Sequence, residues 1–461
     1  MSKGKKLVSI LVLILVVLGL ALPVSNLLRG LPRSASVSAI ETQDQAFAQA
    51  RDIMAGKCAT CHSSEGAMPL YASLPVAKTM IEADVKTGTD YLNLQKELMP
   101  APGLPASEAT LAKIEKEIQD GAMPPMRFLM LHWNGALSES EEQQMTAWIQ
   151  KTRSEHFATK LAAAQFANEP VQPLPLSVEA DAAKVALGDK LFHDVRLSKD
   201  NSISCASCHA LDKGGTDRVQ YSTGVGGAVG GINSPTVYNS TYHFIQFWDG
   251  RAANLAEQAD GPVNNPIEMA SNWEEVCGKL NQDAAFLEEF KKVYPEGPSK
   301  ETIIDAIATF ESTLITPNSR FDKYLMGQTG ALTAEDETGY HLFKEYGCAT
   351  CHTGKNLGGQ SFEKMGRKGD YFATRPLTDA DNGRFSVTKD EADRHKFKTP
   401  TLRNIALTAP YMHDGSATDL TQAVDVMLKQ QVGSSAPAQE VAAMVAFLNT
   451  LNGEYKGQLL Q

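Results

Sequence analysis

The sequence predicts a mainly α-helical protein of three tandem domains behind a single N-terminal transmembrane helix, and three observations predict it. A Cys-x-x-Cys-His string occurs three times, as Cys58/Cys61/His62, Cys205/Cys208/His209 and Cys348/Cys351/His352. The strings start about 145 residues apart, the spacing of a repeated domain. A Gly-x-x-Leu-Phe pattern recurs ahead of two of them, at Gly188 to Phe192 and Gly339 to Phe343, within stretches of helical periodicity.

Each string supplies two thiols for thioether bonds to haem vinyl groups and a histidine as iron ligand. A disulfide scaffold would scatter its cysteines, and zinc sites would pair each string with a second cluster. Three strings that each use up both cysteines predict three covalently bound c-type haems, in domains of the class I cytochrome c kind. Cys277 is the cysteine left over and reads as a small buried hydrophobe. A chain of 461 residues has room for several cores, and a net charge of −11 gives no reason to expect a nucleic-acid partner.

Lys3, Lys5 and Lys6 precede an uncharged apolar run, Leu7 to Val24, of about 18 residues, enough to span a bilayer core. The lysines favour the cytoplasmic side, so residues 1–27 read as a cytoplasmic tip and anchor with everything after Arg29 outside the cytoplasm. The expectation is an inner-membrane protein with its catalytic domains in the periplasm. Cleavage after Val37-Ser38-Ala39 is the rival reading.

In the first module, 42–165, Asp44 to Gly56 reads as a helix leading into Cys58, and Ser107 to Gln119 as an amphipathic helix closed by Gly121. Met123 follows beside two prolines and is the candidate sixth ligand to the His62 iron, with Met126 and Met99 as alternatives and a packed core methionine as the plain reading. Ser138 and Glu141 form a capping box that opens a last helix. With both faces of its iron occupied, such a haem would relay electrons.

Residues 166–177 are a proline-spaced, extended connector. In the second module, 178–330, Ala182 to His193 is helical and the haem string follows. No methionine loop succeeds His209 in the usual place; the chain gives Gly224-Val225-Gly226-Gly227-Ala228-Val229-Gly230-Gly231 instead. Gln258 and Glu268 then arrive in a segment rich in Asn and Pro, where irregular backbone is expected. An open iron with a carboxylate and an amide beside it is what peroxide cleavage needs. Composition alone would leave Glu268 a solvated residue and Gln258 a helix-surface one. In the third module, 331–461, Thr333 to Tyr346, Leu420 to Leu428 and Ala438 to Leu448 are helical. Met427 and Met412 compete there for the His352 iron.

Asn-Ser-Pro-Thr at 233–236, Phe-Trp-Asp-Gly-Arg at 247–251, Asn-Pro-Ile-Glu-Met at 265–269, Thr-Leu-Arg-Asn at 401–404 and Pro-Tyr-Met-His-Asp-Gly at 410–415, interleaved with the second and third haem strings, resemble the bacterial dihaem cytochrome c peroxidase family. The anchor and the extra haem domain make the whole chain similar to the membrane-bound trihaem, quinol-oxidising branch. The resemblance implies a peroxidatic haem on Cys205, Cys208 and His209, with Glu268 and Gln258 as catalytic carboxylate and amide and Trp248 as the aromatic between two haems. It implies an electron-transferring haem on Cys348, Cys351 and His352 with Met427 as sixth ligand, which demotes Met412. It also implies a calcium ion held by Asn233 and by backbone carbonyls of Thr408 and Pro410, an all-oxygen set suited to that metal.

One position departs from the family. Where many members carry a histidine that blocks the resting iron, this chain has Val225, which cannot ligate. The peroxide site is therefore expected to stand open in the oxidised protein, with His193 and His243 nearby in sequence as histidines that could substitute. The expected activity is reduction of hydrogen peroxide to water with electrons from a membrane quinol or a periplasmic redox protein, and a homodimer is the oligomer allowed for. A pure electron-transfer protein and an oxidase of a protein or organic substrate are the competing classes; Met427 argues against the latter, because the methylamine-utilisation relative has tyrosine there.

Overall fold

The computed structural model describes residues 16, 17, 19–66, 68–101, 103–373 and 375–461. Lys3, Lys5, Lys6 and the first half of the apolar run, on which the anchor reading rests, lie outside the described residues. Residues 19–29 are helical, and among the described residues no helix is long and apolar enough to cross a membrane. The chain is mainly helical and forms two compact units, Met1–His156 and Phe157–Gln461.

The first unit is organised by the helices Gln45–Lys57, Glu108–Asp120 and Glu139–His156. Asp44 caps the first by accepting from Ala46 N–H at 2.9 Å, and the helix delivers the chain to Cys58. Ser107 caps the second, and Gly121 ends it in the left-handed region that glycine adopts freely. Phe47 and Trp148 meet with ring centroids 5.7 Å apart, in a core that also buries Met54, Leu111 and Ile149. A further helix, Pro75–Tyr91, occupies a stretch to which the sequence reading assigned no element. It packs tightly on the haem string: a Cβ on Gly88 would lie 2.5 Å from the Cys61 carbonyl oxygen.

In the second unit the recurring Gly-x-x-Leu-Phe motif finds its physical cause. Helix Ala182–Phe192 crosses helix Lys300–Ser312 at Gly188, where a Cβ would sit 2.0 Å from the Ala306 carbonyl oxygen. Helix Ala334–Glu345 crosses helix Ala438–Asn449 at Gly339, where a Cβ would sit 1.9 Å from the Ala443 carbonyl oxygen. In both cases backbone meets backbone, and Phe192 and Phe343 fill the core beside the crossing. Two haem domains thus repeat one helix pair.

The proline-spaced stretch is built into this unit. Val171, Gln172 and Leu174 are buried. The fully buried Arg403 guanidinium donates to Asp322 Oδ1 at 2.6 Å, to the Gln172 carbonyl at 3.0 Å and to the Lys355 carbonyl at 3.0 Å. Removing one member of such a buried pair costs about 3–5 kcal/mol, because the other charge is left without compensation. Two antiparallel pairs complete the fold: Phe362–Lys364 against Lys396–Lys398, with Phe362 opposite Lys398, and Glu454–Tyr455 against Gln458–Leu459.

Candidate haem centres and active site

Burial pushes the thiols of Cys58 and Cys348 up to about 12, and raises that of Cys205 as well. Among the described residues the cysteines form no disulfide, so both thiols of each string remain to bond haem vinyl groups. Burial lowers the imidazoles of His62, His209 and His352, the last to about 4, which keeps each ring neutral and able to bind a metal. His62 Nδ1 donates to the Leu92 carbonyl at 3.1 Å and His352 Nδ1 to the Leu357 carbonyl at 3.3 Å. A carbonyl only accepts, so Nδ1 carries the proton and Nε2 keeps its lone pair for iron. His209 is equally enclosed, its ring lying beside the Gly215 and Pro235 backbone. Two thiols and a neutral imidazole at this spacing fit a c-type haem in all three places.

Glu268 stands on the loop after helix Leu255–Asn264 and is half-buried. Burial raises its pKa, opposed by the Arg251 charge and by the Asn265 hydrogen bond. Asn265 Nδ2 donates to Glu268 Oε1 at 2.7 Å and orients the carboxylate. The glycine-rich loop is tied to the same residue. Val225 N–H donates to the Glu268 carbonyl at 2.8 Å, and a Cβ on Gly224 would lie 2.2 Å from the Ile267 carbonyl oxygen. Gly226 and Gly227 take φ of 68° and 81°, which glycine alone adopts without strain. Glu268 is also close enough to Cys208 to act on its thiol electrostatically.

Gln258 departs from the sequence reading in one respect: it lies on the regular helix Leu255–Asn264 rather than on irregular backbone. Pro262, four residues on, lacks the N–H that would have bonded the Gln258 carbonyl, so the helix loosens beside it. His193 is exposed and engages Asp189, its Nδ1 2.8 Å from the Asp189 carbonyl oxygen, and His243 faces Lys398 and Gly359.

Trp248 is held between the two domains of this unit. Its Nε1–H donates to the Asn233 carbonyl at 2.9 Å, its own carbonyl accepts from Lys398 N–H at 2.8 Å, and its ring stands edge-on to Phe397 and His413. Asn233 N–H donates in turn to the His413 carbonyl at 2.8 Å, which brings Asn233 to the loop carrying Thr408 and Pro410. Beside it lies a polar set of which motif reasoning named only His413: His413 Nε2 donates to the buried Asp381 Oδ1 at 2.7 Å, and the half-buried Arg375 bonds both oxygens of Asp381. Phe397 stacks on His413 with centroids 4.3 Å apart.

Met427 ends the helix Leu420–Met427, which passes into a π-helical turn over Leu428–Val432, a distortion common at functional sites. Met412 has a left-handed backbone and packs on the apolar cluster around Tyr411 and Leu420. In the first unit Met123 is 48% exposed and Met126 73%, while Met99 is half-buried. Cys277 packs against the core of Leu187, Val276 and Leu280 but is only half-buried, nearer the surface than the plain reading had it.

The fold and these centres define a c-type haem protein whose C-terminal unit repeats one haem-domain plan. The family model described as di-haem cytochrome c peroxidase matches residues 182–330, and a haem-binding domain model matches residues 18–151. Cytochrome c peroxidase Ccp of Escherichia coli (strain K12) is 51% identical over 402 residues, 86% of each chain. Cytochrome c551 peroxidase of Nitrosomonas europaea is 48% identical over 62% of this chain and 85% of its own. The crystal structure of a MauG-like protein associated with microbial copper homeostasis superposes with a TM-score of 0.55 at 31% identity, covering 61% of this chain and 93% of that one. The chain belongs to the di-haem cytochrome c peroxidase family.

Proposed function

We propose that this protein reduces hydrogen peroxide to water, relaying electrons through three c-type haems from a membrane quinol or a periplasmic redox protein. One observation carries the reading: a half-buried carboxylate, Glu268, is aimed by Asn265 and bonded through its backbone to Val225, which stands where the family resemblance puts a blocking histidine. The relatives named cytochrome c peroxidase support the substrate. The haem on Cys205, Cys208 and His209 would supply the iron that takes peroxide and the electrons that break the O–O bond.

The chain's own contribution is proton management and wiring. Glu268 takes the proton from the bound peroxide oxygen and returns it to the departing one, and its raised pKa suits both duties. Gln258 offers an amide to the polarising oxygens. Trp248, fixed by Asn233 and Lys398, bridges the His209 and His352 centres. Met427 would complete the His352 iron and Met123 the His62 iron. Asn233 and the carbonyls of Thr408 and Pro410 would hold calcium where the two domains meet.

The third haem and the membrane donor rest on the N-terminal module. The alignment with the Escherichia coli relative is longer than the C-terminal unit and so reaches into the first one. Retention of residues 1–27 as an anchor would place the periplasmic domains beside a lipid-soluble donor. The test is direct. The purified protein should carry three haems, show a high-spin His209 haem when fully oxidised, and consume peroxide at once with a quinol donor. A low-spin bis-histidine signal from that haem would refute the open site, and turnover with a small cytochrome but not with a quinol would refute the membrane donor in favour of the periplasmic redox protein.

A further inference from the structure

The loop that follows helix Ser240–Tyr242 leaves the 178–330 domain and docks on the chain just past His352. Phe244 N–H donates to the Gly359 carbonyl at 2.9 Å, and Gln360 Nε2 donates to the Tyr242 carbonyl at 2.9 Å. The fit is close: a Cβ on Gly359 would lie 2.2 Å from His243 Cδ2. At this seam His243 Nδ1 accepts from Lys398 Nζ at 3.1 Å. Since Nδ1 accepts, the ring proton sits on Nε2, which is closed to solvent and has the Gln246 side chain beside it. Tyr242 Oη, on the same loop, is enclosed and unpartnered.

Lys398 is 5% exposed, and among the described residues it forms no ion pair. A buried donor left unmade costs about 1–3 kcal/mol, and a buried charge without a counter-charge costs more. A fold that encloses an ammonium with no counter-charge, beside a buried imidazole, is complementary to an anion. Burial lowers Lys398 to about 7, and burial and the Lys398 charge lower His243 well below its usual range. A carboxylate beside them is what would keep the pair protonated.

The source of that carboxylate follows from position. Leu357, whose carbonyl accepts from His352 Nδ1, is two residues before Gly359, and Pro400, whose backbone also lies beside that ring, is two residues after Lys398. A c-type haem brings two propionates to the centre it occupies. We infer that His243 and Lys398, contributed by opposite haem domains, bind a propionate of the His352 haem and so clamp the domain of the peroxide site onto its electron donor. The inference rests on the haem assigned to His352 under the proposed function.

The experiment is a redox titration of the purified three-haem protein, with the His352 haem resolved by its low-spin spectrum, in wild type, Lys398→Met, Lys398→Arg and His243→Phe. A cation at the propionate favours the ferrous state, so the midpoint potential of that haem should shift down in Lys398→Met, shift down by less in His243→Phe, and return towards wild type in Lys398→Arg. The propionate-bending band in resonance Raman should move in the same two variants. An unchanged potential and band in folded variants carrying three haems would overturn the clamp, as would a shift confined to the His209 haem. Where Lys398→Met does not load, His243→Phe decides by the same two readouts. A haem count showing the His352 site empty would instead overturn the reading beneath the inference, and peroxide turnover enters neither decision.

Discussion

Replacing Glu268 by glutamine separates proton transfer from positioning. Asn265 Nδ2 donates to Glu268 Oε1 at 2.7 Å, and a glutamine oxygen can accept the same bond, so the side chain keeps its aim. The bond from Val225 N–H to the Glu268 carbonyl is backbone and is untouched. What disappears is a group able to accept and return a proton, worth roughly 10²–10⁴-fold in rate, or about 3–5 kcal/mol of barrier. The pH profile adds a second readout. Burial outweighs Arg251 and Asn265 and holds the Glu268 pKa above the usual carboxylate range. The ionised form is the base, so kcat/KM in the wild type should fall as pH drops through that raised value, and the acidic limb should be missing from Glu268→Gln. Stopped-flow peroxide consumption by pre-reduced enzyme measures both. Wild-type turnover with the same acidic limb in the variant would remove Glu268 from the mechanism.

Three other perturbations test the surrounding structure. Val225→His should convert the His209 haem of the oxidised protein to a low-spin, six-coordinate state and make turnover depend on prior reduction, seen by electron paramagnetic resonance; a spectrum that stays high-spin would show that the loop cannot bring position 225 to the iron. Gly188→Ala forces a methyl against the Ala306 carbonyl and should cost about 1–3 kcal/mol, read as a lower thermal midpoint, whereas Gly278→Ala, with nothing within 4 Å, should be neutral or stabilising. Glu311 is buried, has an unpartnered Oε2 and is raised by burial alone to about 8. Its folded pKa exceeds its unfolded one, so the native state holds an extra proton and stability falls as pH rises between the two values, by at most about 5 kcal/mol. Glu311→Gln should flatten denaturation midpoints between pH 5 and pH 8, and an unaltered slope would assign that proton elsewhere.

What could be read from the chain and what could not divide along the range of the interactions. The haem strings are local code, three residues apart, and the helices beside them announce themselves through caps at Asp44, Ser107 and Ser138 that the structure places as expected. Gly188 and Gly339 were legible as a repeat, but their reason, backbone against backbone at Ala306 and Ala443, is tertiary. Helix Pro75–Tyr91 escaped because it buries no side chain fully and so leaves no apolar stripe to find. Gln258 was assigned to irregular chain because Asn and Pro crowd the segment, yet Pro262 comes late enough in the helix to be tolerated. The candidate site shows the same division. Glu268 could be named by motif, whereas the hydrogen bond that aims it, and the bond that ties it to Val225, belong to turns that pattern reasoning treats as filler. His243 and Lys398 lie 155 residues apart and on different haem domains, so nothing local marks either one. Their pairing has meaning only once the fold closes the seam and encloses the Lys398 ammonium with no counter-charge. Motifs therefore locate the reacting centre, while the contacts that couple one centre to the next are made by residues with no motif of their own.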